Sequence, residues 1–426
     1  MRKKKVLIIC QFFEPLNAVG AIRPSKLAKY LTDDGFDVDV ITSAKCYDKS
    51  VTNKKYKVLY AGNIKKDVQQ TNNDTNHHNR RIISRIKVDE IKKTYRQLLV
   101  EIDAHSFFNE VKRMIHENYV KIEKYECVFT TYGPMGSLMT GRYLKRKYPN
   151  IVWINDFRDP IVSVMMPKIL LPYYRYVQNK SVREADYVTT VSNGYMRRIS
   201  KGKYQNKVFV IPNGYDESDR PLTTSCPNDD AFSFAYVGSL YNGARDLSLL
   251  FEVLSELVAD KLLNMKMIHF HYAGDDYEVL LAQAEKYNMG DCIINHGRIS
   301  RNDCLSLQSS VRYLVLSTWN EKGEEGVFPG KLIEYMLFRK PIISIVNGSL
   351  SNAEVTETIQ NLQLGISCED SDSSRKERMH EWLLEQVQCV KNGNPTRFSP
   401  DNEMIEKKYN WVNIVRRFEE IINGDV

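Results

Sequence analysis

Short apolar runs alternate with helix-like segments at the start of this chain. The run KVLIIC (5–10) predicts a buried strand, and the next segment places Leu27, Ala28 and Leu31 on one face, as an amphipathic helix does. The segment FDVDVIT (36–42) then alternates between apolar and polar residues, which is typical of a strand. Strand, helix and strand in this order predict a parallel sheet that binds ligands at the carboxyl ends of its strands.

The alternation continues along the chain, with one interruption and one polar connector. Residues 45–120 begin rich in Lys and Asn and then show helical periodicity with many basic positions, so we predict a basic, partly mobile helical insertion there. Residues 223–230 (TTSCPNDD) form the connector, after which the pattern of strands and helices starts afresh. The further predicted strands are 125–131, 151–156, 185–192 and 207–214 before the connector, and 232–240, 267–274, 292–297, 311–317 and 340–346 after it.

Length and pattern together predict two domains. A chain of 426 residues exceeds the size of about 250–300 residues at which a single hydrophobic core stops growing. We therefore expect an α/β protein with domains at 1–215 and 216–405, and with a C-terminal helix at 406–426 that packs back on the first domain. No run of 18 apolar residues occurs in the sequence, so no membrane-spanning helix is predicted.

Charge is divided unevenly between the two predicted domains. Residues 1–220 hold 40 Lys and Arg against 23 Asp and Glu, a net charge of +17, whereas residues 221–426 hold 20 against 30, a net charge of −10. Three explanations fit the basic charge of the first half: attraction to an anionic membrane, attraction to a nucleic acid, or basic helices that only keep the domain in solution. The segment VSVMMPKILLPYYRYVQNK (162–180) mixes apolar, aromatic and basic residues as interfacial segments do, which favours the membrane.

Two glycine-containing loops in the second half suit a phosphate group. In YVGSLYNGARD (236–246), Gly238 and Gly243 let the backbone approach a ligand closely, and Arg245 supplies positive charge beside the next helix N-terminus. In GVFPG (326–330), backbone amides ahead of the next helix can cradle phosphate oxygens.

Lys331 and Glu334 follow the second loop and lie three residues apart on one face of a predicted helix at 331–338. A lysine at this place suits a phosphate, and a glutamate suits a hydrogen-bond donor of the same ligand. The alternative is an ordinary surface ion pair worth a few tenths of a kcal/mol, with the glutamate favoured by the helix dipole. The glycine loop ahead of the pair favours the binding role.

Four motifs in order carry a resemblance to a known family. They are FFEPLNAVGAIRPSKLAKYL after the first strand, VIPNGYD (210–216), YVGSLYNGARD (236–246) and FPGKLIEYMLFRKPI (328–342), and WINDFRDP (153–160) adds a further match. With these motifs the chain resembles bacterial glycosyltransferases of the large retaining family 4, of the capsule and O-antigen type. The resemblance implies the GT-B fold, in which two Rossmann-like domains with parallel sheets face each other across a donor cleft.

The resemblance also implies roles for individual residues, with Glu334 on the donor ribose. The family often has two glutamates with seven residues between them, and the first touches the donor sugar. Counting back from Glu334 gives Gly326 at that position. Glu324 or Glu325 can substitute through a loop shift, or both are solvated loop charges. The implied donor-binding residues are Gly20, Gly238, Ser239, Arg245, Glu325, Phe328, Pro329, Gly330, Lys331 and Glu334.

In the first domain, the predicted site lies at the carboxyl ends of the strands. Gly20 follows the first strand, where the resemblance places the diphosphate and the acceptor, and Arg23 could reach either of them or lie on the helix surface. DFRDP sets Asp156, Arg158 and Asp159 at another strand end, where a carboxylate could act as base toward the acceptor hydroxyl or orient it. The alternative is an internal Asp–Arg pair that shapes the loop. The predicted catalytic residues are Asp156, Asp159, Arg245 and Lys331, and the predicted acceptor-binding residues are Arg23 and Arg158.

The predicted function is a retaining glycosyltransferase of surface polysaccharide synthesis, such as that of lipopolysaccharide or capsule. It moves a hexosyl or N-acetylhexosaminyl group from a nucleotide-diphosphate sugar to a hydroxyl of a lipid-linked glycan. The alternatives are a sugar-nucleotide epimerase or phosphorylase on a similar fold, and a non-catalytic partner that keeps the fold.

No metal or other cofactor is predicted, and the eight cysteines lack the spacing of a metal site. We expect a cytoplasmic protein, with or without peripheral attachment of its basic domain to the inner face of the cytoplasmic membrane. No nucleic-acid partner is expected, since no nucleic-acid-binding module accompanies the charge.

Overall fold

The structure is a computed structural model, and the chain in it forms two compact units. It describes residues 4–16, 18–48, 55–62, 86–163, 166–221, 232–392 and 398–426. The first unit comprises Met1–Pro212 and Trp411–Val426, and the second comprises Asn213–Asn410. The chain therefore leaves the first unit once and returns to it at its C-terminal end.

In the first unit, seven strands of the described residues form one parallel sheet. They are β1 (Lys5–Ile9), β2 (Asp37–Ser43), β3 (Lys57–Ala61), β4 (Cys127–Thr131), β5 (Val152–Phe157), β6 (Tyr187–Thr190) and β7 (Val208–Val210). Their order across the sheet is β3-β2-β1-β4-β5-β6-β7. The order reverses between β1 and β4, so the connections after these two strands leave in opposite directions and open a crevice at the carboxyl edge.

Helices connect these strands, as parallel pairing requires. They are α1 (Val19–Asp33), α2 (Ile86–His116), α3 (Gly136–Lys147), α4 (Leu171–Glu184) and α5 (Asn193–Ser200). Most side chains of β1 and β4 are buried on both faces of the sheet. Burial on both faces explains why the strands are continuous apolar runs in the sequence.

The second unit repeats this architecture, with a parallel sheet of six strands among its described residues. The strands are β8 (Phe232–Val237), β9 (Ile268–Ala273), β10 (Ile293–Asn295), β11 (Tyr313–Trp319), β12 (Ile342–Asn347) and β13 (Gly365–Glu369), in the order β10-β9-β8-β11-β12-β13. The order reverses between β8 and β11, so the loops after these two strands flank the crevice of this unit. Those loops are the two glycine-containing motifs, 238–247 and 320–329.

Seven helices of the described residues complete the second unit. They are α6 (Ser248–Ala259), α7 (Tyr277–Glu285), α8 (Arg301–Ser310), α9 (Gly330–Phe338), α10 (Glu354–Asn361), α11 (Arg375–Lys391) and α12 (Asn402–Tyr409). Aromatic side chains fill the core on one face of the sheet, where Phe234 stacks on Tyr313 with ring centroids 5.2 Å apart. Each such side chain contributes on the order of 2 kcal/mol by leaving water.

The last helix, α13 (Trp411–Asn423), belongs to the first unit. Its buried residues recur at helical spacing, and Trp411 stacks on Tyr30 of α1 at 6.3 Å while Phe418 meets Phe129 of β4 edge-on at 5.7 Å. The predicted C-terminal helix began at 406, but the structure places residues up to Asn410 in the second unit. The reason is packing, since the Tyr215 N–H donates to the Tyr409 carbonyl at 2.8 Å there.

The two parallel sheets, whose strands alternate with helices along the chain, confirm the predicted α/β fold class. The segment 45–120 differs from the predicted helical insertion, because β3 joins the sheet edge beside β2 and the C-terminal half of α2 packs into the core. Residues 49–54 and 63–85 of this segment, which was predicted to be partly mobile, lie outside the described residues. No described helix is long and apolar enough to cross a membrane.

Candidate functional site

Gly238, directly after β8, lets the loop backbone lie close to Lys331 at the crevice of the second unit. Gly238 has a φ of +118°, a conformation that favours glycine. Its N–H donates to the Ala273 carbonyl at 2.7 Å. A Cβ at this position would overlap the Nζ of Lys331, so the missing side chain lets the ammonium lie against the loop backbone.

Asp276 holds the Gly238 loop in place. Its carboxylate accepts hydrogen bonds from the Ser239 hydroxyl and from the Leu240 N–H, both at 2.6 Å. The Tyr272 hydroxyl donates to the Gly238 carbonyl at 3.2 Å and accepts from the Asp276 N–H at 2.8 Å. Ser239, predicted to contact the donor, thus directs its hydroxyl at Asp276 and contributes to the shape of the loop.

Arg245 lies over two aromatic rings at the end of this loop. The central carbon of its guanidinium is 4.6 Å from the centroid of the Tyr241 ring and 5.4 Å from that of Trp319. Its Nη1 donates to the Ser239 carbonyl at 3.1 Å. These contacts fix the guanidinium in place without any acidic partner among the described residues.

Lys331 lies in the first turn of α9, and its charge is poorly compensated. Its Nζ is 5.4 Å from the centroid of the Tyr236 ring, and it forms no ion pair with any described carboxylate. Burial, and after it repulsion from Arg245, lowers the pKa of Lys331 to about 8, although Glu334 acts in the opposite direction. Two neighbouring cations with so little compensation form a site that favours an anion.

The N-terminus of α9 adds backbone donors at the same place. Pro329 precedes the helix, no described side chain caps it, and its first turn holds no acidic residue. A Cβ on Gly330 would meet nothing within 4 Å among the described residues, so the approach to the helix end is open. Free amides at a helix N-terminus, with its positive dipole, bind phosphate groups.

Glu334 has a partner other than Lys331. Its Oε2 accepts from Arg301 Nη1 at 2.9 Å, and Nη2 of this arginine is 3.4 Å from Asp219 Oδ2. Glu334 keeps some exposure, and a carboxylate has acceptor capacity for more than one donor. The simple Lys331–Glu334 surface pair is therefore absent from the described structure, because the two side chains have different environments.

The loop before α9 is shaped partly by packing. Phe328 is partly buried and stacks on Tyr409 with centroids 6.2 Å apart and rings nearly parallel, and its contact with the donor stays a prediction. Gly326 has a φ of +82°, and the Glu325 carboxylate accepts from the Gly323 N–H at 3.0 Å. A role for Glu325 in place of the missing glutamate stays a prediction.

Asp156 and Arg23, predicted to act in catalysis and acceptor binding, are buried in the first unit. The side chains are 0% and 1% exposed and form an ion pair at 2.9 Å. Thr131 and Thr189 donate to the same carboxylate at 2.9 and 2.7 Å. Neither group can reach an acceptor, so we correct both roles: the pair joins α1 to β5, and the helix-surface alternative for Arg23 is also wrong.

Arg158 occupies the crevice between the loops that follow β1 and β4. A Cβ on Gly20 would lie 2.9 Å from its Nη1, and a Cβ on Gly133 would lie 3.0 Å from its Nη2. Its Nε donates to Asp159 at 2.9 Å, and this carboxylate is half-exposed. The structure thus brings Gly20, Arg158 and Asp159 together, and a side chain at position 20 would have to displace the guanidinium.

Some residues of the site were missed by sequence reasoning. Asp276 lies in GDD, which reads as a simple turn, and Arg301 reads as an ordinary helix-start arginine. Tyr236 is the last residue but one of β8, Trp319 is the last residue of β11, and both read as core residues. Strand ends beside a switch point were the only available signal for these residues. Within the described ranges, no group of three or more metal-ligating side chains is close enough to hold a metal ion.

Comparison with known proteins gives a family match for the second unit and similar folds for the whole chain. Residues 231–386, most of the second unit, match the family model described as glycosyl transferases group 1. The whole chain is similar in structure to sucrose-phosphate synthase from Thermosynechococcus elongatus, with a TM-score of 0.65, 15% identity and 99% of each chain covered. The fold is GT-B. No match was found among curated proteins.

Two further solved structures show how widely this fold is used. The catalytic domain of starch synthase IV from Arabidopsis thaliana, bound to ADP and acarbose, aligns with a TM-score of 0.59 at 10% identity over 99% of each chain. UDP-GlcNAc 2-epimerase from Methanocaldococcus jannaschii aligns with a TM-score of 0.51 at 12% identity over 99% of this chain and all of the other. At these identities the likeness shows the fold alone.

Proposed function

We propose that this protein is a retaining glycosyltransferase of family 4 that uses a nucleotide-diphosphate sugar as donor. The observation that carries the proposal is the pairing of Arg245 and Lys331, two fixed cations with no described acidic partner, at the open N-terminus of α9. A diphosphate supplies the negative charge that this place lacks. The match to glycosyl transferases group 1 over the same unit supports it.

The donor is held at both ends of its nucleoside diphosphate. The phosphates contact Arg245, Lys331, the Gly238 loop and the amides that follow Pro329. The ribose hydroxyls donate to Glu334, and Arg301 fixes the direction of that carboxylate through its hydrogen bond of 2.9 Å. A positioned carboxylate forms a charge-assisted hydrogen bond worth about 1.5–3 kcal/mol.

Catalysis rests on stabilising the leaving group. The bond between the anomeric carbon and the diphosphate oxygen breaks, and a bond to the acceptor oxygen forms on the same face of the sugar. The acceptor proton passes to the departing diphosphate, so this route needs no enzymic base at Asp156. Arg245, Lys331 and the α9 amides stabilise the growing phosphate charge, which is the largest protein contribution in reactions of this kind. No metal ion takes part in this route, and a rate unchanged by EDTA is the expected result.

The acceptor is a glycan hydroxyl that binds in the first unit. Arg158, with Asp159 beside it, is the polar group at the crevice after β1 and β4, and it suits a phosphate or hydroxyl group of the acceptor. The donor sugar is a hexosyl or N-acetylhexosaminyl group, and the acceptor is lipid-linked, as in capsule or lipopolysaccharide synthesis. The protein is cytoplasmic and attaches peripherally to the membrane through its basic first unit.

A second candidate is a sugar-nucleotide epimerase, because the fold aligns with a UDP-GlcNAc 2-epimerase. Product analysis separates the candidates. The purified protein is incubated with membrane extract and a panel of radiolabelled nucleotide sugars, with Lys331→Ala as the inactive control. Transfer of label to a lipid-extractable or polymeric product supports the glycosyltransferase. A changed nucleotide sugar without transfer supports the epimerase, and neither outcome with any donor would support a non-catalytic partner.

A further inference from the structure

Helix α2 carries apolar residues on two opposite faces. Ala104, Phe107, Val111 and Ile115 of its C-terminal half are buried in the core of the first unit. Residues nine positions earlier lie about two and a half turns away, and hence on the other side of the helix. The pairs are Tyr95 with Ala104, Leu98 with Phe107, and Ile102 with Val111. Tyr95, Leu98 and Ile102 of the N-terminal half therefore face away from that core and do not pack in it.

We call the apolar residues of this outward face the α2 stripe: Ile91, Tyr95, Leu98, Leu99 and Ile102. They follow one another at helical spacing, and each is between 45% and 69% exposed. Isolated exposed apolar residues are ordinary, but five on one face form a contiguous patch. Such a patch marks an interaction surface.

Basic charge without compensation borders the α2 stripe. Lys92 and Arg96 are exposed and form no ion pair with any described residue. Three acidic residues of the same helix segment whose side chains the structure describes are already engaged. Glu90 is 3.7 Å from Lys93, Glu101 accepts from the Tyr174 hydroxyl at 2.8 Å, and Asp103 accepts from Lys45 at 2.7 Å. The surface is therefore apolar with a cationic edge.

A second exposed apolar group lies on the neighbouring helix α4 and the turn before it. The hydrogen bond between Tyr174 and Glu101 joins α4 to α2 beside Ile102. From this region Ile169, Tyr173 and Tyr176 project into solvent, and Lys168 and Arg175 accompany them. Tyrosine and leucine beside lysine and arginine are the composition of a surface that lies at the boundary of a bilayer.

We propose that the α2 stripe lies flat on an anionic bilayer, with Lys92 and Arg96 on the lipid headgroups. This proposal rests on the membrane attachment in the proposed function and names the element that makes it. The charge of residues 1–220, a net of +17, favours an anionic lipid surface over a second copy with the same charge. Five residues are also few for a stable dimer, whose interface usually takes about 20–30 residues from each chain.

The test is co-sedimentation of the full chain with vesicles of phosphatidylcholine and phosphatidylglycerol, or of phosphatidylcholine alone. Leu98→Gln/Ile102→Gln should weaken binding to the anionic vesicles at least tenfold, because two apolar side chains no longer enter the interface. Lys92→Gln/Arg96→Gln should weaken it roughly tenfold at low salt and have little effect at high salt, where charge is screened. The second variant keeps the test decisive if the first folds poorly.

Matched controls use exposed residues of the same unit off the stripe. Val412→Gln and Tyr119→Gln control for apolar loss, and Lys121→Gln/Lys124→Gln controls for charge. Control variants that bind as weakly as the stripe variants would overturn the proposal. Stripe variants that bind vesicles normally would also overturn it. So would a halved mass of the stripe variants by light scattering with unchanged vesicle binding, because the stripe would then be a dimer interface.

Calorimetry with UDP and GDP separates this proposal from the proposed function. Stripe variants should bind nucleotide as the unaltered chain does, since the nucleotide site lies in the second unit. An unaltered chain that binds vesicles but neither nucleotide would contradict the proposed function and leave the bilayer contact standing. An unaltered chain that binds nucleotide but not anionic vesicles would contradict the bilayer contact and leave the proposed nucleotide site standing.

Discussion

Lys331 has a pKa of about 8, so its charge changes in the pH range in which enzymes are usually assayed. Burial and the neighbouring Arg245 both oppose the charged form. A bound diphosphate favours the charged form and raises this pKa. Binding of the diphosphate should therefore be linked to the uptake of a proton whenever the free lysine is neutral.

We expect UDP or GDP affinity to be nearly constant from pH 7 to 8 and to fall above pH 8. There the free Lys331 is largely neutral, and each further pH unit should weaken binding by about tenfold until the pKa of the complex is reached. Calorimetry at pH 8.5 in two buffers with different ionisation heats measures the proton uptake directly. Lys331→Met should abolish both the uptake and the pH dependence. Affinity that does not change between pH 7 and 9 would rule out this role.

Glu334 is a second residue whose role follows from its own contacts. Glu334→Ala should weaken UDP or GDP binding by about 10- to 100-fold, because a carboxylate hydrogen bond to the ribose is lost. Arg301→Ala should weaken it less, since the carboxylate remains but loses its 2.9 Å partner. Calorimetry and a melting curve measure affinity and folding together. An unchanged affinity in Glu334→Ala with a native melting curve would remove it from the site.

At the scale of elements, one buried ion pair joins α1 to β5. Arg23 and Asp156 are both fully buried, and Arg23 also donates to the carbonyls of Ile211 and Pro212 at 2.9 and 3.0 Å. The pair thus sets the position of α1 and of the chain after β7. Because a charge left alone in this place is costly, the pair is a structural element whose loss acts on stability first.

Arg23→Ala should lower the free energy of unfolding of the first unit by about 3–5 kcal/mol, since it leaves the Asp156 carboxylate buried without its partner. The double variant Arg23→Met/Asp156→Leu should recover part of this loss, because it removes both charges. Urea unfolding followed by fluorescence measures the difference. If Asp156→Asn kept full stability and abolished turnover, the carboxylate would return to the catalytic residues.

The elements themselves were largely predictable, whereas their connections were not. Apolar runs predicted most strands of both sheets, because parallel strands are buried on both faces. The edge strands β3 and β13 escaped prediction because KVLYA and GISCE are short segments that contain polar residues. Gly238 and Lys331 were predicted from the glycine loops, but Asp276 was not, because its hydrogen bonds to Ser239 and Leu240 join parts of the chain that the sequence keeps far apart.

At the scale of the whole molecule, the first unit carries the basic charge and the exposed apolar stripe, and the second carries the proposed nucleotide site. Uneven charge was visible in the sequence as +17 against −10. The α2 stripe was not, because the apolar residues of α2 change face halfway along the helix and no single periodicity describes them. Division of the two tasks between the units allows nucleotide binding and bilayer binding to be measured independently.

The central claim is that Arg245 and Lys331 stabilise the departing diphosphate, and steady-state kinetics of their alanine variants at saturating donor tests it most directly. Each variant should lose about 100- to 1,000-fold in kcat, as removal of a preorganised donor does, because its charge opposes one that grows in the transition state. Uridine or guanosine affinity should change far less, since the nucleoside contacts Glu334 instead. Full kcat in either variant would contradict the account.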